Sequence, residues 1–483
     1  MHKLLCALVI AGCGGHAGTA AGPGGGAGGA EPFAAARWVP ANPTYLVAAA
    51  TVRDGQRAFH DVLDDVGMIG GFTASEAEQE LPAVLGVDPL SESALTNIGV
   101  DVGGGMAVFS EDVTPTFVVH MASPEAFGTF LDQQRQRGLT TVSQVVDGVE
   151  LNTSKIGGGV AIGWALDRDW LWVHFGEKGM GTEWFAHSHR AARAAWNGAW
   201  SWAKAHAGKA AVVGFARAKD LVASAMGRVQ GGIACVKQLD AIDRVGFAFD
   251  VDGSKVGARL TFDIGSAAPA FASHLMAPPP GWQGVAAKAP LQAQWNLDLG
   301  AVTGWLEPCV RVATSDPDPF AGVKQFGVRT ARALVLSVDP GDKSGAGAVA
   351  MDLASGAFLQ GYVDKASHFA SDRTFGPYRG HHVSIPFVAK LDYVFDDKLA
   401  IAAMGDGVME RIAAGPAAGV PPMFSVSVVP EGMPKDAWVW LLDQIGAPSP
   451  AHLVERFEDW RELHATAVLD GSSVVVEVAG THR

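Results

Sequence analysis

The chain is predicted to be α+β: antiparallel sheets with helices packed on one face, arranged as two similar, repeat-like halves. Three observations carry this. Short strands of alternating apolar residues are joined by tight turns, several strands run into segments of helical spacing, and one supersecondary pattern occurs twice.

In chain order, Thr44 to Val52 reads as a strand, and Gln56 to Val66 follows with Phe59, Val62, Leu63 and Val66 at helical spacing. Thr116 to Met121 leads into Ser123-Pro124-Glu125, an N-cap with proline at the first helical position, and then Phe127, Phe130 and Leu131 on one face. The same strand-then-helix reading applies to 211–216 with 219–226, 291–297 with 300–306, and 359–363 with 366–371. The repeated pattern runs from Asp147 to Ala186 and again from Gly380 to Ala414: an extended segment, two strands joined at Asp167-Arg168-Asp169 or Asp396-Asp397, a glycine-containing link and a helix. Hairpins are expected around Asp252-Gly253-Ser254, Asp339-Pro340-Gly341-Asp342 and Asp470-Gly471. Pro278-Pro279-Pro280-Gly281 continues neither helix nor central strand and marks a boundary, so the halves are 33–275 and 280–483.

The first residues have the parts of an export signal: His2 and Lys3 as a positive head, Leu4 to Ile10 as an apolar run, and the small pair Ala11-Gly12. That run is too short for a membrane span, which needs about 20 apolar residues. Ile10-Ala11-Gly12-Cys13 resembles the lipobox of bacterial lipoproteins. The resemblance implies removal of residues 1–12, acylation of Cys13, attachment to a membrane through that lipid, and, with Gly14 following, placement in an outer membrane. The other reading is an ordinary signal that happens to contain a cysteine. Residues 13–32 are then the lipidated cysteine and a Gly/Ala-rich tether of roughly 20–25 Å reach. Within it Gly24-Gly25-Gly26-Ala27-Gly28-Gly29 fits G-x-G-x-x-G only formally, because no strand precedes it and no helix follows. Val39-Pro40-Ala41-Asn42-Pro43-Thr44-Tyr45-Leu46, with the units that follow, resembles a family of bacterial envelope proteins known only as a domain of unknown function. Asn42-Pro43 departs from the usual acidic residue there, and the resemblance brings no catalytic residues.

The 483 residues carry a formal net charge of −14, and loss of Lys3 with the signal makes it −14 − 1 = −15. An acidic chain without a basic stripe argues against nucleic acid as a partner. A solvated acidic surface accounts for that charge, cationic partners stay open, and the envelope setting makes an envelope protein or glycan the expected partner. The four cysteines divide by position. Cys6 leaves with the signal, Cys13 would carry lipid, and Cys235 and Cys309 are left to pair in an oxidising compartment or to stand as separate buried thiols.

Local catalytic motifs are sparse. Ser201-Trp202-Ala203-Lys204 fits S-x-x-K without the S-D-N and K-T-G that accompany it in β-lactamase-like sites. His187 and His189 are two apart and diverge on a helix, and His381 and His382 diverge on a strand. No metal or cofactor is implied. Tryptophan is the least ordinary feature. Seven of the 14 fall between Trp164 and Trp202, with Trp170 and Trp172 on one strand face and Trp196 and Trp200 on one helix face. Such rings would either stack on a ligand such as a sugar or form core. The sequence thus points to a lipid-anchored binding or structural module of the envelope. The alternative is an envelope hydrolase whose site is assembled from distant residues around His120, His187 or His381.

Overall fold

The computed structural model describes residues 31–59, 82, 86–111, 114–155, 161–176, 182–220, 241–252, 254–275, 290–297, 303–304, 307, 311, 317–318, 331–339, 346–353, 357–385, 389–396, 398–405, 407–414, 422–432, 434–444 and 450–483. They divide into two units. The first holds the described residues before 221 with Asp243–Thr261, and the second holds residues 241–242 with the described residues of Phe262–Arg483. Cys13, Cys235, Cys309, the signal, most of the tether and the triple proline lie outside the described residues.

The first unit is built on β1 (Tyr45–Ala49), β2 (Met106–Ser110), β3 (Thr116–His120), β4 (Val142–Val146), β5 (Val149–Lys155), β6 (Ala161–Asp167), β7 (Trp170–Gly176), β8 (Val212–Ala216), β9 (Arg244–Asp252) and β10 (Lys255–Asp263). These pair in the order β10-β9-β8-β1-β2-β3-β7-β6-β5-β4, and β1 to β9 pair antiparallel throughout. Its helices include α1 (Glu92–Asn97), α2 (Pro124–Gln136), α3 (Thr182–Ala194) and α4 (Gly198–Ala207), and residues 52–59 are helical as well. The expected cap of α2 is present: Ser123 Oγ accepts the Ala126 N–H at 3.2 Å, with Pro124 as the first helical residue. The β4–β5 hairpin turns on Asp147 (φ 51) and Gly148 (φ 82), the two left-handed positions of a type I′ turn.

Period-two alternation decides which side chains meet. Leu46, Ala48, Ala107, Phe109, Val118, Leu151, Ala165, Trp172, Val213 and Phe215 are buried on one face, under Phe185 and Ala192 of α3, Ala203 and Ala207 of α4, and the short 3-10 turn Ala34–Trp38. The opposite face carries Trp164 and Leu171, covered by Phe127, Phe130 and Leu131 of α2 and by Leu95 of α1. Helices therefore lie on both faces of this sheet, which corrects the expectation of one covered face. The cause is in β6 and β7, where Leu171 and Trp172, or Trp164 and Ala165, point apolar groups to both sides, and a strand apolar on both faces needs cover on both.

The second unit contains β11 (Leu291–Trp295), β12 (Ala331–Asp339), β13 (Ala346–Leu353), β14 (Ala370–Phe375), β15 (Tyr378–Ile385), β16 (Ala389–Phe395), β17 (Leu399–Met404), β18 (Phe424–Val428), β19 (Trp460–Asp470) and β20 (Ser473–His482). Their antiparallel order is β20-β19-β18-β11-β12-β13-β17-β16-β15-β14. Helices α5 (Ala357–Ser367), α6 (Val408–Ala414), α7 (Lys435–Gln444) and α8 (Pro450–Phe457) flank them. Val408, Met409 and Ile412 of α6 pack on Ala348, Ala350, Ile401 and Ala403, while Trp438, Leu442 and Val454 of α7 and α8 pack on Leu291 and Val428. Leu291 opposes Val338, which opposes Gly347, the neighbour of Ala348, so these are opposite faces. One local expectation is reversed: 359–363 belongs to a helix and 370–375 to a strand. Leu359, Tyr362 and Val363 are spaced i, i+3, i+4, and that period wins over the apolar content of the run.

Candidate functional site

The most concentrated chemistry of the first unit lies under Ala34–Trp38. Ala35, Ala36 and Trp38 are buried, and the Trp38 ring becomes the hub of an aromatic cluster. Its centroid lies 5.0 Å from Trp196, 6.1 Å from Trp172 and 6.4 Å from Trp170, and its plane stacks on His189 at 6.0 Å. Phe185 stacks on the other neighbour, with its ring 5.2 Å from His189, and Trp172 meets both Phe109 and Phe185 edge-on.

His189 leaves this apolar setting through one atom. Its Nε2 lies 2.9 Å from Asp167 Oδ2 at the end of β6, and Arg193 Nη2 donates to the same oxygen at 2.7 Å. His189 and Arg193 are one helical turn apart on α3, so both reach one carboxylate. The His189 side chain is 1% exposed and that of Asp167 9%, whereas Arg193 is half-exposed. Burial by itself would raise the Asp167 carboxyl, but the hydrogen bonds from His189 and Arg193 outweigh it and hold it below the ordinary aspartate value. Nearby, Arg190 grips Asp147 at the β4–β5 turn with two nitrogens, and this bond holds the exposed Asp147 carboxyl low.

This arrangement ties α3 to the sheet. The other ring nitrogen of His189, Nδ1, is buried without a partner among the described residues, as are Ser188 Oγ and the indole nitrogens of Trp38 and Trp172. Among the described residues, no hydroxyl or thiol is hydrogen-bonded to His189 Nδ1. The second unit buries an aspartate in similar company: Asp392 on β16 lies 2.7 Å from His382 Nδ1 and 3.9 Å from Arg373, whose other nitrogen meets Glu410 at 2.7 Å.

The four aromatic positions singled out in the sequence separate. Trp172 is fully buried and Trp170 half-buried, both in ring contact with Trp38. Trp196 stands in the turn between α3 and α4, not on a helix, so it shares no helix face with Trp200; Asn197 at φ 72 breaks the helix there. The Arg37 guanidinium lies 4.1 Å and the Lys204 ammonium 4.3 Å from the centre of the Trp200 ring, forming a cationic clamp on it, and the Trp200 indole N–H donates to the Pro32 carbonyl at 3.1 Å. Glu31 closes this clamp through Arg37 and Lys204. Lys204 of the S-x-x-K segment is thus engaged with Glu31 and Trp200.

The histidines of the hydrolase alternative each have an acidic neighbour. His120 Nδ1 is 3.0 Å from Asp101 Oδ2 beside Trp170, and His381 Nδ1 is 3.0 Å from the exposed Asp372. The exposed His187 lies 3.6 Å from Glu111 and lines an open depression of about 510 Å³ with Glu183, Ala186, Arg190, Ala191 and Ala194. Among the described residues no group of three or more His, Cys, Asp or Glu could hold a metal ion. No helix among them is long and apolar enough to cross a membrane.

Trp38, Asp167 and His189 were not marked as a group by sequence. The usable signal was His189 and Arg193 at i, i+4 facing a hairpin aspartate.

No family model matches the chain, and no curated protein matches it. Among solved structures, crystal form III of TP0453 aligns with a TM-score of 0.27 and 11% identity over 49% of this chain and 81% of that one. Crystal form IV of TP0453 aligns at 0.21 and 9%, over 44% and 95%.

Proposed function

We propose that the chain is a lipid-anchored cell-envelope protein acting as a binding or structural module, with its globular part held off an outer membrane by the Gly/Ala tether. The observation that carries this reading is the sequence Ile10-Ala11-Gly12-Cys13 behind a short apolar run and ahead of a tether. Two or more acyl chains on Cys13 anchor stably, since each buried CH₂ contributes about 0.8 kcal/mol. The test is metabolic labelling with a fatty acid followed by detergent phase partition. Native protein should take label and enter the detergent phase, and Cys13→Ser should do neither. A cleaved Cys13→Ser product that still partitions into detergent overturns the assignment.

The body supporting that role is, in the same proposal, an internal duplication. Subtracting ten from each strand number of the second unit reproduces the strand order of the first. A helix also follows β3 and β13 alike. Amide exchange read strand by strand tests this. If β14 exchanged as a free strand while β4 stayed protected by β5, the correspondence would fail.

A hydrolase remains the second reading, on one observation: the part-exposed His120–Asp101 pair. It requires that His120→Ala abolish hydrolysis of some envelope ester or glycan; activity equal to native protein removes it.

A further inference from the structure

Strand β4 is the edge of its sheet among the described residues, hydrogen-bonded to β5 alone. Edge strands usually carry a device against pairing with another chain: a charge, a proline or a covering loop. Residues 138–146 contain no ionisable side chain and no proline. Val142 and Val145 are 72% and 71% exposed, and Ser143 and Gln144 are exposed as well. Strand β14 occupies the matching edge of the second unit. It carries Asp372 at 96% side-chain exposure and Arg373, each two or three residues before the hairpin turn. Gln144 stands where β14 has Arg373, since Val146↔Val149 and Phe375↔Tyr378 close the two hairpins.

The two-residue turn fixes which backbone groups are free. Val146 and Val149 flank it as a hydrogen-bonded pair, so Val146, Gln144 and Val142 direct their N–H and C=O toward β5. Thr153 Oγ1, which donates to the Val142 carbonyl at 3.4 Å, agrees. Ser143 and Val145 then direct theirs to the open edge.

We propose that β4 is a homodimerisation edge, pairing antiparallel with β4 of a second copy of this chain about a two-fold axis through Gln144. In that register Ser143 of each copy exchanges both backbone hydrogen bonds with Val145 of the other. Gln144 faces Gln144, and no charge meets a like charge. Val142, exposed in one copy, sits opposite Val146 of the other and on the same face, and Val146 belongs to the buried core with Val149 and Leu151. The apolar layer of one sheet continues into the next. The same geometry applied to β14 would set Arg373 against Arg373, which identifies β4 as the pairing edge and β14 as the guarded one. Self-complementarity of this uncharged register selects a second copy over an acidic or basic peptide.

The test uses the full-length chain in detergent, with mass determined by light scattering and sedimentation across a concentration series. The native chain should dimerise. Gln144→Arg, which copies the guard of β14 at an exposed position, should weaken the dimer about fivefold or more. Val145→Pro removes only an outward N–H and should abolish it. Gln144→Cys should give a disulfide-linked dimer on mild oxidation, above any seen with native protein, and Arg373→Cys should not. A native chain that stays monomeric at every concentration overturns the proposal. So does a dimer indifferent to Gln144→Arg and Val145→Pro, or a Gln144→Cys chain that links only to another protein.

Discussion

Removing the carboxylate of Asp167 gives the sharpest test of what holds the first unit together. Asp167→Ala deletes the acceptor of two hydrogen bonds. The bond to His189 is buried on both sides, and its loss leaves a second orphan nitrogen on a ring whose Nδ1 has no partner among the described residues. A hydrogen bond involving a charged group contributes about 1.5–3 kcal/mol, and stranding a buried polar atom adds to the loss. The bond to Arg193 reaches a half-exposed guanidinium and is screened, so it adds about 0.5 kcal/mol. The expected destabilisation is about 3 kcal/mol, read as a lower urea midpoint by tryptophan fluorescence, because Trp38 and Trp172 lie against His189. The double change Asp167→Ala with His189→Phe should recover part of it, since phenylalanine fits the stack between Trp38 and Phe185 and carries no atom to strand. The effect also has a pH sign. The folded carboxyl is held below its ordinary value, so its stabilisation is fully present above the unfolded pKa of about 3.9 and is lost as pH falls through the folded one. Native protein and Asp167→Asn should therefore converge toward acid pH. A midpoint for Asp167→Ala within 0.5 kcal/mol of native at neutral pH, by the usual scatter of surface substitutions, would refute the account.

Two further outcomes follow from close contacts. Gly214→Ala places a methyl on the Phe247 ring and the Leu46 carbonyl, in a strand paired on both sides, and should cost about 1–3 kcal/mol by thermal unfolding; an unchanged Tm means the strands separate easily there. Trp200→Ala opens the clamp on Glu31 and Pro32, so limited proteolysis near residues 31–33 should quicken while global stability falls by only about 1 kcal/mol, the scale of exposed cation–π pairs. Equal cleavage rates would show that Ala34–Trp38 alone holds the segment.

Much of the architecture was readable because it rests on local chemistry. Ser123-Pro124 announces a helix start, and Asp470-Gly471 marks the hairpin of β19 and β20, where Asp470 pairs with Ser473; both act within a few residues. Strand order and helix placement are not local. That α2 and α3 take opposite faces depends on β6 and β7 being central, which follows from pairings across 50 residues or more, such as Val118 with Trp172. The buried cluster is non-local in the same way. Trp38 looks like one apolar residue in a short turn, and only the fold sets it against Trp170, Trp172, Trp196 and His189. The tryptophan surplus was visible; that these rings contact one another was not.

The Arg37–Trp200–Lys204 clamp also has a mechanical meaning. If the chain is held through Cys13 as proposed, a pull would enter the body at Glu31 and Pro32, next to α4. It passes through Ala34–Trp38 wedged in the core and reaches β1 only afterward. Strand β1 is bonded along its length by β2 on one side and β8 on the other, so force arriving there would shear two ladders together instead of peeling one edge. The entry point of load is thus a strand paired along its length on both sides, and the Trp200 contacts stand in front of it.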